Sequence, residues 1–96
     1  MSMVVKRYYY LFGDYPVKDA MILEPGESIG IVLIASVFRL TINADKPVQL
    51  VDRFGKVIME SDKIDDVFQA YDYVLFVKAI DRTSMYIEAI GRNMLR

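Results

Sequence analysis

The sequence predicts an all-β fold, mainly antiparallel: one small β-sandwich or jelly-roll-like barrel spanning residues 1–96. About 7–8 strands are expected, with one short helix or helical turn near residues 62–71. Three observations carry this reading. Turn signals recur at short intervals, at Gly13-Asp14-Tyr15-Pro16, Glu24-Pro25-Gly26-Glu27, Asn43-Ala44-Asp45-Lys46-Pro47, Arg53-Phe54-Gly55-Lys56 and Asp81-Arg82-Thr83-Ser84. The segments between them run to about five to ten residues rich in Val, Ile, Tyr and Phe, the spacing of short strands. Hydrophobic residues make up 54% of the chain, enough for one core without disulfides at this length.

The first element, Met3 to Phe12, alternates imperfectly. Lys6, Tyr8, Tyr10 and Phe12 share one side, and Val5, Arg7, Tyr9 and Leu11 the other. The expectation places Tyr8, Tyr10 and Phe12 on the core and Tyr9 on the back. Asp19 to Glu24 is a short strand stopped by the Pro25-Gly26 turn. Phe38 to Asn43 alternates cleanly, with Phe38, Leu40 and Ile42 inward and Arg39, Thr41 and Asn43 outward. Val48 to Asp52 and Lys56 to Glu60 flank Arg53-Phe54-Gly55, where Gly55 can take the positive φ that closes a hairpin. Tyr71 to Ile80 and Met85 to Gly91 are expected to form the last pair.

Ser61 to Phe68 has a different rhythm. Ile64, Val67, Phe68 and Tyr71 fall at i, i+3, i+4 and i+7, Ser61 can serve as N-cap, and Asp62 suits the positive end of a helix dipole. This is the helical turn of the expected fold.

Ile29 to Phe38 has Ser36 as its one polar side chain. It is ten residues long, half of the ~20 that a membrane span needs, and its Ile and Val favour strand. As a strand it sets Ile29, Ile31, Leu33, Ala35 and Val37 against Val32, Ile34 and Phe38, so both faces are apolar. Tyr73 to Val77 repeats the pattern. A sandwich buries one face of each sheet, and the second face needs a cover. A neighbouring subunit is the expected cover, with Ile29, Ile31, Leu33, Tyr73, Leu75 and Val77 as the contact.

Charge and residue types narrow the chemistry. Net charge is −1 and the sequence pI is about 5.3, which argues against nucleic acid. Cysteine and histidine are both absent, removing thiol nucleophiles, thiolate metal sites and the commonest general base. No G-x-S-x-G, S-x-x-K or phosphate loop appears. The expectation is therefore no enzyme, no catalytic residue, no cofactor and no metal. The acidic group Asp62, Asp65, Asp66 and Asp72 lacks the ligand spacing of a calcium loop and reads as a solvated face. Glu24 and Glu27 bracket a turn and read the same way. The run Lys6 to Tyr10 mixes cations with aromatic rings, as sugar- and single-strand-binding surfaces do. Arg7, Tyr9 and Tyr15 are the candidates for a ligand surface.

The order of turns, a Pro-Gly-Glu opening and later an Asp-Arg-Phe-Gly-Lys-Val hairpin, is similar in architecture to jelly-roll and immunoglobulin-like sandwiches. That resemblance implies architecture and no activity. The functional expectation is a non-catalytic assembly protein that homo-oligomerises or docks on a larger particle such as a virion, tail or shell. The alternative is a carbohydrate- or peptide-binding module using the Tyr-rich first strand, and a nucleic-acid-binding protein ranks third. Lys6 and Arg7 precede only five apolar residues, too few for a signal peptide, so a cytoplasmic or virion-associated location is expected.

Overall fold

The computed structural model of the chain describes residues 4–12, 15–34, 37–69 and 74–92. These form seven strands in one mixed sheet that curls into a nearly closed barrel, with no helix among the described residues. The strands are β1 (Val4–Phe12), β2 (Val17–Leu23), β3 (Glu27–Ile34), β4 (Val37–Asp52), β5 (Val57–Gln69), β6 (Val74–Ala79) and β7 (Thr83–Arg92).

β4 is the spine. Its first half pairs with β7, from Val37↔Arg92 to Ala44↔Met85, and its second half pairs with β6, from Val48↔Ala79 to Asp52↔Leu75. β5 lines its other side throughout. The expected pairing of the last two segments is therefore corrected. β6 and β7 lie one after the other along β4, and β6 continues outward to β3 and β1 while β7 continues to β2. One half of the barrel is β1-β3-β6 with the end of β4, and the other is β2-β7 with its start. β1 and β3 run parallel, and the remaining pairs are antiparallel.

Asn43 to Pro47 is a bulge within β4 rather than the expected turn. Asn43 pairs with Lys63 and Val48 with Ser61, so residues 44–47 face Asp62 alone. Proline, which cannot donate to a ladder, is tolerated at such a bulge. Opposite it, the Ser61 hydroxyl accepts from the Lys63 amide at 3.1 Å and donates to the Lys63 carbonyl at 2.8 Å. The side chain expected to cap a helix bends a strand instead. The helical turn is overturned for a second reason. Ile64 pairs with Ile42 and Phe68 with Phe38, and the Phe38 and Phe68 rings stack at 5.3 Å. An i, i+4 pair also shares a strand face, so both periods fit these two residues. Val67 separates them, since it faces water at 59% exposure.

The core fills the space between the halves. Leu11, Ile29, Ile31, Leu50, Val77 and Ala79 come from one side and Leu23, Phe38, Leu40, Ile42, Met85 and Ile87 from the other, all within one cluster. Phe38, Leu40 and Ile42 point inward and Arg39 and Asn43 outward, as their alternation requires. Two turns depend on glycine. Gly26 (φ 84°) and Gly55 (φ 88°) occupy the left-handed region. The first closes a turn in which the Glu27 amide donates to the Glu24 carbonyl at 3.0 Å, the type II pattern with Pro25 before the glycine. Ser28 and Thr83 are the buried polar side chains among the described residues, and both are satisfied, by the carbonyls of Val4 and Asp81.

Candidate functional site

Two surface features stand out from this frame. The first is the seam where β1 and β2 approach each other. Among the described residues β1 pairs with β3 alone and β2 with β7 alone, so side chains join the seam. Asp19 is its centre. Its Oδ2 accepts from the Tyr9 hydroxyl and from Arg7 Nη1, the latter at 3.0 Å, and its Oδ1 accepts from the Ala20 amide at 2.8 Å. Lys6 Nζ donates to the Ile22 carbonyl at 3.4 Å and sits 3.7 Å from Glu27. The Tyr9 hydrogen bond, then that of the Ala20 amide, holds the Asp19 carboxyl below its ordinary value. Burial, then the bond to Asp19, pushes the Tyr9 phenol up, and the bond with Tyr9 raises Arg7. An open cleft of about 550 Å³ lies at the seam, lined by Lys6, Arg7, Ala20, Met21, Ile22, Ile29 and Ser84.

Of the ligand-surface candidates, Arg7 and Tyr9 come together here, while Tyr15 stands apart at 80% exposure. The facing expected for β1 is reversed. Tyr9 packs on the core beside buried Leu11, and Tyr8 and Tyr10 face outward; the Phe12 side chain lies outside the described residues. The reason is a bulge at Lys6, between the pairs Val5↔Ser28 and Arg7↔Ile29, together with Gly30, whose missing side chain leaves room outside for the Tyr8 ring.

The second feature is the outer face of the β1-β3-β6 half. Tyr8 pairs with Gly30, Gly30 with Phe76, Phe76 with Val51 and Val51 with Val57, so one apolar row crosses five strands. Tyr8 and Phe76 meet edge to face at 6.4 Å across Gly30. A second row, Tyr10, Val32 and Val74, lies beside it. The contact expected from sequence is corrected in its parity. Ile29, Ile31, Leu75 and Val77 are core residues with at most 6% exposure, and Val32, Val74 and Phe76 form the surface of the same strands. The Leu33 side chain and Tyr73 lie outside the described residues.

The opposite outer face differs. Arg39 grips Asp65 with two bonds, Nε to Oδ1 at 2.9 Å and Nη2 to Oδ2 at 3.0 Å, and Thr41 adds a third to Oδ1 at 3.4 Å. Lys18 lies 3.9 Å from Glu88 on the same face. The Arg39 bonds lower the Asp65 carboxyl. Asp65 is thus held by an arginine rather than grouped with other carboxylates, and Asp66 accepts from the Val67 amide at 2.9 Å; Asp72 lies outside the described residues. Glu24 and Glu27 serve structure as well: Glu24 pairs with Arg82 at 3.0 Å, and Glu27 accepts from the Glu24 amide at 2.8 Å. Among the described residues no cluster of three or more His, Cys, Asp or Glu is placed to hold a metal ion, and no helix is long and apolar enough to cross a membrane. No protein family, no curated protein and no solved structure matches this chain.

Proposed function

We propose that this chain is a non-catalytic assembly protein that buries the outer face of its β1-β3-β6 half against a second copy of itself. The carrying observation is the run of adjoining apolar side chains on that face, Tyr8, Tyr10, Val32, Val74 and Phe76. On the opposite side the exposed Val67, Tyr86 and Ile90 lie among paired charges. Tyrosine and phenylalanine are enriched where protein surfaces meet, because they bury large rigid area at small entropic cost. Contiguous apolar surface on one face of a small domain is a mark of such a contact. A component of a larger shell, tail or virion-type particle is the setting in which repeated copies of this chain fit.

Light scattering on the purified chain tests the reading. The wild type is expected as an oligomer at micromolar concentration. Phe76→Asp or Tyr10→Asp should give monomers whose melting temperature stays near wild type, since both side chains point away from the core. A monomeric wild type at tens of micromolar would end the proposal. Glycan and peptide screens on those variants address the alternative use of the same tyrosines, for which Tyr8 and Tyr10, 47% and 52% exposed, are the accessible rings.

A further inference from the structure

β1 and β2 end the path of paired strands. They lie antiparallel across the seam, with Lys6 reaching Ile22 and Tyr9 reaching Asp19. Among the described residues no backbone bond joins them. β2 is secured on its other side by an unbroken antiparallel ladder with β7, from Val17↔Ala89 to Leu23↔Thr83. β1 has only its ladder with β3, which is parallel and interrupted at Lys6. Parallel pairing is the weaker kind per residue, and a bulge leaves its extra residue unpaired. β1 is therefore the strand that the barrel holds least.

Side chains span the seam, and two of the three bonds from β1 end on one carboxylate. Asp19 Oδ2 accepts from the Tyr9 hydroxyl and from Arg7 Nη1, and both bonds are charge-assisted while Asp19 is ionised. Protonation removes that charge and turns one oxygen into a donor. The third bond, from Lys6 Nζ to the Ile22 carbonyl, is long at 3.4 Å and exposed. The ionisable groups around Asp19 are Lys6, Arg7 and Tyr9 on β1, Lys18 beside it on β2, and Tyr86 and Glu88 on β7, which flank its ladder partner Ile87. Glu88 lies 3.9 Å from Lys18, on β2. Glu27 of β3 lies 3.7 Å from Lys6, so it is the other carboxylate whose protonation reaches β1.

We propose that Asp19 is an acid latch on β1: protonation of this carboxylate lets β1 leave the edge of β3 while the other strands stay paired. The released strand is a local opening, distinct from unfolding of the barrel. Folding favours the ionised form, so the latch is shut above the ordinary aspartate value of about 3.9. It opens as pH falls through the lower value of the folded state. Release uncovers the site of buried Leu11 and frees the Ser28 hydroxyl from the Val4 carbonyl. It also takes Tyr8 and Tyr10 out of the face proposed for self-contact; that consequence rests on the assembly reading, and the latch does not.

Native-state amide exchange followed by NMR reads the release strand by strand. Between about pH 5 and pH 2, protection factors of β1 amides should fall about tenfold or more relative to those of β4 and β5. Asp19→Asn should show the open β1 already near neutral pH, with no further loss on acidification. Tyr9→Phe keeps the charge but removes the bond that lowers the carboxyl most, so its loss should set in at higher pH. Glu27→Gln should leave the wild-type acid response in place. The same series on Phe76→Asp should give the same result, which separates failure of the latch from failure of the self-contact. β1 protection that tracks β4 and β5 at every pH overturns the proposal, as does a wild-type acid response in Asp19→Asn. An acid response abolished by Glu27→Gln would place the switch at the Lys6 pair and overturn it too.

Discussion

A Cβ added at Gly30 would fall 2.5 Å from Cδ1 and 2.6 Å from Cε1 of Tyr8, and 3.3 Å from Phe76. Gly30→Ala therefore has to push the Tyr8 ring off the sheet, at an expected cost of about 1–3 kcal/mol. The double variant with Tyr8→Ala should recover part of that loss, so thermal melts of the four species should be non-additive. Additive losses would show that the ring moves freely. Asp19 gives a second test at this scale. Folding favours its ionised form, so its stabilisation is complete above the ordinary aspartate value of about 3.9 and is lost as pH falls through the lower value of the folded state. Melts of wild type and Asp19→Asn between about pH 5 and pH 2 should converge as the solution is acidified. Tyr9 works with the opposite sign. Its neutral form is favoured, so its contribution is full below the ordinary tyrosine value of about 10 and fades as pH rises past it.

Much of each element was legible in the sequence. The hairpin glycine, the Pro25-Gly26 turn and the inward set Phe38, Leu40 and Ile42 each follow from local chemistry that a short window contains. The β5 segment was not legible, because Ile64 and Phe68 satisfy the helical and the strand period together, and what decides is pairing with Ile42 and Phe38, residues more than twenty positions away. The β4 bulge hid for the same reason: a cluster of Asn, Asp and Pro marks a turn or a bulge, and only the partner strand tells which. The parity of β1 depended on one inserted residue at Lys6, which shifts every side chain after it to the other face. For the hairpin, Gly55→Ala should cost about 1–2 kcal/mol, the penalty of a side chain in the left-handed region, and Gly26→Ala a similar amount. Arg39→Ala should cost less than about 1 kcal/mol, because its pair with Asp65 is exposed. A larger loss would mean that the charged face helps to hold the sheet.

For the molecule as a whole, the sequence showed that two strands are apolar on both faces, but the face expected as the subunit contact, that of Ile29, Ile31, Leu75 and Val77, is the one covered from within. Parity is set by the closure of the barrel, which no local signal carries. The correction has a direct test. Leu75→Asp should unfold the chain, since burying the charge adds to the several kcal/mol of a lost core leucine, whereas Phe76→Asp should leave it folded. Circular dichroism of the two variants separates core from surface. Removing residues 1–7 deletes the pairs Val4↔Glu27, Val5↔Ser28 and Arg7↔Ile29 and leaves the buried Ser28 hydroxyl without its Val4 acceptor. At ~0.5–1.5 kcal/mol for each hydrogen bond, the loss should reach several kcal/mol. An unchanged melt would mean that β1 is a dispensable arm.

The order of strands along the sheet also dictates how the chain can find its fold. Among the described residues only β4 and β5 are neighbours both in sequence and in the sheet; β1 waits for β3, β3 for β6, and β2 for β7. Loop-closure entropy must therefore be met many times before the barrel rewards it, and refolding is expected on the millisecond-to-second scale of high-contact-order β proteins. The hairpin can form early and serve as the template onto which β6 and β7 are laid. Substitutions at Leu50 or Met59, which pair across it, should slow refolding in stopped-flow measurements. Val5→Ala on β1 should mainly speed unfolding. The last edge to close is then the seam at Asp19, so its carboxylate acts after the rest of the barrel is in place, as the clasp of a structure that β4 began.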